Sequence, residues 1–161
     1  MGMIDDLATA LNEYPGEHVV ITITDFKEPG THINVDEICS FNVRVENNGH
    51  LDMKNVKLHV EATRFTSVSV TTAGFIGVGV PVSFGNSVVS GGRDVNAHST
   101  VTYGDFHMRA VGATPDGGTA RRDLFTVHIS TFDAGLENIL KDHSHHAGNP
   151  EVAYAHHIHP E

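Results

Sequence analysis

The sequence predicts an all-β, antiparallel sandwich with a short helix at each end. Three observations carry that expectation. Apolar and polar residues alternate through several short runs, the period that a strand with one buried face requires. Polar or glycine- and proline-containing breaks separate the runs, as between Val45 and Val56, at Pro29-Gly30 and at Thr114-Pro115-Asp116-Gly117-Gly118. The chain holds 16 glycines in 161 residues, which fits one that turns often.

The elements follow in order. Ile4, Leu7 and Leu11 fall at i, i+3 and i+7, so residues 3–14 read as an amphipathic helix, with Asp5 and Asp6 at the favourable end of its dipole and Pro15-Gly16 as its stop. So short a helix is marginal alone and is expected to dock on the domain or on a partner. Residues 18–25 (HVVITITD) are rich in β-branched side chains and read as the first strand. Phe41, Val43 and Val45 then alternate with Asn42, Arg44 and Glu46, and after the break Val56, Leu58 and Val60 alternate with Lys57 and His59. Residues 65–72 alternate through Val68 and Val70. Residues 75–84 put Ile76, Val78, Val80, Val82 and Phe84 on one parity and mostly Gly, Pro and Ser on the other. That Gly-rich strand would be a hazard at an open sheet edge, and a terminal helix or a second copy is expected to cover it. Residues 87–95 contain the turn-prone SGGRD. Residues 99–103 and 105–110 follow, with Phe106 and Met108 inward, and 124–132 align Phe125, Val127 and Ile129. Asp133 can cap a second helix over about 134–146, with Leu136, Ile139, Leu140 and His143 on one stripe, ended by Gly148 and Pro150. The expected division is a helix at 1–16, a sandwich at 17–132, a helix at 133–148 and a histidine-rich tail without clear periodicity at 149–161. There is no internal repeat.

One segment resembles a known family. Phe41, Val43, Val45, Asn47 or Asn48, Gly49, Asn55, Val56, Leu58 and Val60 form an F-x-V-x-V-x-N-x-G run, a polar gap, and N-V-x-L-x-V. This resembles the cell-adhesion-related domain of bacteria and archaea (the CARDB family) and its immunoglobulin-like relatives. Residues 97–103 and 125–129 sit about where that family's last strands lie. The resemblance implies an immunoglobulin-like antiparallel β-sandwich and a binding or spacer role, usually outside the cytoplasm. It carries no catalytic residues.

Composition narrows the partners. Lys and Arg number 10 against 20 Asp and Glu, a formal charge of −10, which argues against a nucleic-acid partner because phosphate binding needs a basic face. The single cysteine, Cys39, excludes an internal disulfide framework and reads as a small core residue. Acidic residues stand where a secretory signal would be basic, and no apolar run is long enough to span a bilayer, so a soluble chain with no membrane insertion is expected, its compartment open.

Histidine is the outlier. Of 13, six (His143, His145, His146, His156, His157 and His159) fall in the last nineteen residues. On a helix His143 and His146 share a face, as do His156 and His159. In an extended chain the pairs are His143 with His145 and His157 with His159. Imidazole suits Zn, Cu and Ni, so these six are the candidate metal ligands, although a solvated tail or one packed on a neighbouring subunit is the plainer reading. His59, His107 and His128 fall on the outward parity of their strands and can form a metal site only where those strands are neighbours.

Enzyme signatures are weak. Ser90-Gly91-Gly92-Arg93-Asp94 lacks the strand–elbow–helix setting of a hydrolase nucleophile. Gly77-Val78-Gly79-Val80-Pro81 has no helix after it to hold a phosphate. The absence of Trp and the presence of only 3 Tyr disfavour a sugar platform. The function expected is therefore a non-enzymatic structural or interaction module without a cofactor. It would be a subunit of a homo-oligomer or larger assembly, self-associating or binding a protein partner by burying Ile4, Leu7, Leu11, Leu136, Ile139 and Leu140. The alternative is a Zn-, Cu- or Ni-binding protein that uses the C-terminal histidines and loses the metal as the imidazoles protonate below about pH 6.

Overall fold

A computed structural model describes residues 18–27, 32–73, 79–81, 84–133 and 151–160. The helices expected within 1–16 and 134–148 lie outside the described residues. So do the apolar stripes Ile4/Leu7/Leu11 and Leu136/Ile139/Leu140, and His143, His145 and His146.

The described strands are β1 (Val19–Lys27), β2 (Ile38–Asn47), β3 (Met53–Ala62), β4 (Thr66–Ala73), β5 (Gly79–Pro81), β6 (Ser87–Val89), β7 (Arg93–Val95), β8 (Ser99–Ala110), β9 (Arg122–Asp133) and β10 (Glu151–His156). One sheet has the order β1-β2-β8-β4-β5. The other runs β10-β9-β3-β6, with β7 also on β3. Every pairing between these strands is antiparallel. The fold is an all-β, immunoglobulin-like sandwich, as the alternating runs predict.

Alternation sets which side chains meet between the sheets. Cys39, Phe41, Val43 and Val45 of β2 are buried with Tyr103, Phe106 and Met108 of β8; from the other sheet come Val56, Leu58 and Val60 of β3 and Phe125, Val127 and Ile129 of β9. Phe41 joins the layers, with Phe106 at 5.4 Å on one side and Phe125 at 4.3 Å on the other, both stacked. The Tyr103 hydroxyl crosses the core to donate to the Val56 carbonyl at 2.7 Å.

The break between β2 and β3 is built around Asn47, which is buried. Its Nδ2 donates to the carbonyls of Leu51 (2.7 Å) and Val95 (3.2 Å), and its Oδ1 accepts from the Gly49 amide at 3.0 Å. This is the side-chain-to-backbone bracing that makes Asn a turn residue. A register shift between Met53 and Val56 lets both residues bury at an odd spacing, with Asn55 at φ 52°. Gly92 passes close to Asn55, so an added Cβ in this crossing of the β6–β7 connection would displace the Asn55 side chain and crowd its backbone carbonyl carbon at 3.2 Å.

Three expectations change in detail. Residues 99–103 and 105–110 form one strand, β8, since both halves pair with β2 across a register shift between Phe41 and Val43. The run 87–95 splits at Ser90–Gly92 into β6 and β7. The third change matters most for function: the segment read as an aperiodic tail contains β10, paired with β9 from Glu151↔His128 to His156↔Arg122. Its alternation is of size rather than polarity. Val152 and Tyr154 pack against the core while Ala153 and Ala155 face out, and alanine on the outer face hides the pattern. The Tyr154 ring stacks on Phe26 at 4.2 Å and on Phe125 at 5.5 Å.

Candidate functional sites

The last described residues are fastened to the sandwich. Ile158 is fully buried; its amide donates to Thr114 Oγ1 at 3.0 Å and its carbonyl accepts from the Thr114 amide at 3.1 Å. His159 bridges the segment after β1, donating to the Ile33 carbonyl at 2.8 Å and accepting from the Val35 amide at 3.1 Å. These bonds hold residues 157–159 extended, so His157 and His159 point the same way. The ring of His32, carried on the β1–β2 connection, lies 4.5 Å from that of His159, and the His157 ring is 5.0 Å away.

His32, His157 and His159 therefore offer three nitrogens within 4.8 Å of one another. His159 Nε2 is buried without a hydrogen-bond partner among the described residues. Partial burial lowers the His157 pKa, and His156, His159, Arg121 and His32 lower it further. Three imidazole nitrogens brought this close together are a donor set that a borderline metal ion can bind. Of the six histidines predicted from sequence, two enter this cluster. His156 lies beside it, its ring 4.6 Å from His157 and its Nδ1 3.0 Å from the His157 carbonyl, and is not one of the converging three. The tail is not a free appendage, because Ile158 anchors it in the core. His32 went unsingled by sequence reading, since a lone histidine 125 positions from His157 carries no spacing signal.

A second cluster lies on the outer face of the β10-β9-β3-β6 sheet. His59 and His128 stand directly opposite in the β3–β9 register, and Glu151 of β10 is opposite His128 on its other side. Their parity places all three side chains in one row. His59 Nδ1 is 3.2 Å from His128 Nε2, and the rings meet edge to face at 4.8 Å. Glu61, two residues along β3 on the same face, brings Oε1 to 3.6 Å from His59 Nδ1. On the far side of its ring, His128 Nδ1 is buried without a hydrogen-bond partner among the described residues, 3.7 Å from Glu151 Oε2. Both imidazoles are only 23% exposed, against 50% for Glu61 and 61% for Glu151. Of the three outward histidines weighed from sequence, His59 and His128 thus meet. His107 belongs to the other sheet, where its Nε2 pairs with Thr71 Oγ1 at 2.8 Å.

A cavity of about 280 Å³ opens between β4, β8 and the β6–β7 connection. Its polar groups are already engaged. Ser90 Oγ accepts from the Leu58 amide at 2.9 Å and donates to the Gly91 carbonyl at 3.0 Å. Arg93 donates to the Thr102 carbonyl, and its guanidinium carbon lies 5.8 Å from the Tyr103 ring centre. Cys39 is buried in the core, as its composition reading expects.

No protein-family model matches the chain, and no curated protein does. Among solved structures it is similar to the sporulation control protein Spo0M from Bacillus subtilis, at 10% identity over 88% of this chain and 50% of that one, with a TM-score of 0.44. It is also similar to AvmM, described as catalysing macrocyclization in alchivemycin A biosynthesis, at 11% identity over 90% and 92% of the two chains, with a TM-score of 0.47. A third is a PapD-like domain (domain 7) of human CEP192, at 12% identity over 92% and 89%, with a TM-score of 0.39. The chain spans half the length of the Spo0M chain. These likenesses assign no activity.

Proposed function

We propose that the chain is a non-enzymatic interaction module, a subunit of a homo-oligomer or larger assembly that meets its partners along sheet edges. The observation that carries this reading is β1. It is terminal in its sheet among the described residues, its register with β2 is unbroken from Val19 to Thr24, and those six residues, VVITIT, bear no charge. Val20 on its outer face is 46% exposed. A regular, uncharged edge of this kind is a template for an added strand. Among the described residues β5 ends the same sheet on the opposite side; it is part of the Gly-rich run 75–84 that is expected to need cover, the rest of which lies largely outside the described residues. The resemblance of residues 41–60 to the cell-adhesion-related family supports a binding or spacer role as well. The engaged hydrogen bonds of Ser90 and Tyr103 support a function at surfaces rather than in a cleft.

The test is solution mass by light scattering. The full chain is expected to run as an oligomer, and Val20→Lys, which puts a charge on the β1 edge, to run as a monomer with unchanged thermal stability. A wild-type mass of one chain at the highest attainable concentration, with and without chelator, overturns the homo-oligomer.

A second reading, metal binding at the C-terminal end, is favoured by the convergence of His157 and His159 with His32. Calorimetry with Zn, Cu or Ni is expected to show stoichiometric binding that His157→Ala/His159→Ala removes. Weak, non-stoichiometric heats reject it.

A further inference from the structure

We propose that His59, His128 and Glu61 form a binding site for a borderline divalent metal ion, Zn(II) in the first place, on the outer face of the β3–β9 strand pair, with Glu151 as a positioning residue.

The geometry is that of a site built on rigid elements. β3 and β9 are neighbours in the interior of their sheet, and cross-strand register places the two imidazoles directly opposite one another without help from a loop. Two donors bound to one tetrahedral zinc at about 2.0–2.1 Å lie about 3.3 Å apart. His59 Nδ1 and His128 Nε2 are 3.2 Å apart, and Glu61 Oε1 is 3.6 Å from His59 Nδ1. All three donor atoms lie within 4.8 Å of one another. The set is two histidines and a carboxylate, one that zinc sites use with a fourth position left for water or a ligand.

The far side of His128 is the second, independent observation. Once Nε2 binds a metal, Nδ1 carries the ring proton, and ligating histidines characteristically donate that N–H to a carboxylate. Here His128 Nδ1 is buried and unpartnered among the described residues, and Glu151 Oε2 stands 3.7 Å away. A purely structural His–His hydrogen bond would satisfy the facing nitrogens and leave this arrangement unexplained. Because Glu151 opens β10, a metal held on β3 and β9 would also steady the docking of β10. The site shares no residue with the His32, His157 and His159 cluster, and it does not depend on the oligomer proposed above.

The decisive experiment is long-range ¹H–¹⁵N NMR of the histidine rings in the full wild-type chain, titrated with zinc alone. The expected result is that His59 Nδ1 and His128 Nε2 move to the metal-bound range with saturation at one equivalent for this site, and His128 Nδ1 becomes the protonated nitrogen. Unchanged ring nitrogens at His59 and His128, including the case where only His32, His157 and His159 respond, overturn the proposal. As a second measurement, Co(II) in the His157→Ala/His159→Ala background is expected to give tetrahedral visible bands that His128→Ala removes with the circular dichroism unchanged. Bands that persist in folded His128→Ala protein overturn it. Glu151→Gln is expected to weaken the site about 10–100-fold, and full affinity in that variant overturns the positioning role of Glu151.

Discussion

At the scale of single residues, the buried polar groups of Asn47 and Tyr103 are structural braces. Asn47 closes the β2–β3 turn with three hydrogen bonds, and Tyr103 ties the two sheets through the Val56 carbonyl. Burial raises the Tyr103 pKa well above its ordinary value of about 10; Arg93 pulls it back and Asp94 pushes it further up. A pKa raised in the folded state means that the native protein holds this proton more tightly than the unfolded chain does. The stability linked to it is therefore complete below about pH 10 and is lost as the pH rises above that value. Tyr103→Phe is expected to cost about 1–3 kcal/mol at neutral pH by leaving the Val56 carbonyl unpaired, and to flatten the decline above about pH 10. Urea titrations at pH 7 and above pH 10 measure both, and an equal alkaline decline in the variant would contradict the assignment.

Among the elements, β10 is the least expected and the most consequential. It completes the sheet on one side of β9 and covers Phe26 and Phe125 with Tyr154. It also brings Glu151 to one histidine cluster, and residues 157 and 159 just beyond it to the other. The segment is held at its far end by Ile158, which is fully buried and hydrogen-bonded to Thr114 through both backbone groups. Ile158→Ala is expected to cost about 2–5 kcal/mol if the site cannot collapse. Hydrogen exchange gives the sharper readout. The β10 amides should lose protection more than those of β2 or β8, because the anchor fails locally before the core does. Uniform loss of protection across all three strands would show that Ile158 does not act as a local anchor.

For the whole molecule, the two sheets share one core whose aromatic residues run from Phe106 through Phe41 to Phe125, then to Tyr154 and Phe26. Phe125 touches both layers and the C-terminal strand together. Phe125→Ala is expected to cost about 3–5 kcal/mol, a large fraction of the stability of a domain this size. Circular dichroism and tyrosine fluorescence should then report one coincident unfolding transition, shifted down. Separate transitions would show that the sheets do not share a cooperative core.

The sequence by itself determined the fold class, because period-two alternation is a local property that burial on one face imposes. Phe41, Val43 and Val45, Val56, Leu58 and Val60, and Phe125, Val127 and Ile129 all proved to be core. It also marked His59 and His128 as outward, and left two pairings open near the end of the chain, His156 with His159 on a helix or His157 with His159 in an extended segment. What it could not contain was strand order, which depends on pairings between distant segments. The meeting of His59 with His128 follows from the β3–β9 register, and that of His32 with His157 and His159 from the bridge at Ile33–Val35. β10 was hidden for a different reason: alanines on its outer face remove the polarity contrast from which strands are read. Tertiary structure thus decided which histidines converge, since coordination is set by distance in space while sequence records only distance along the chain.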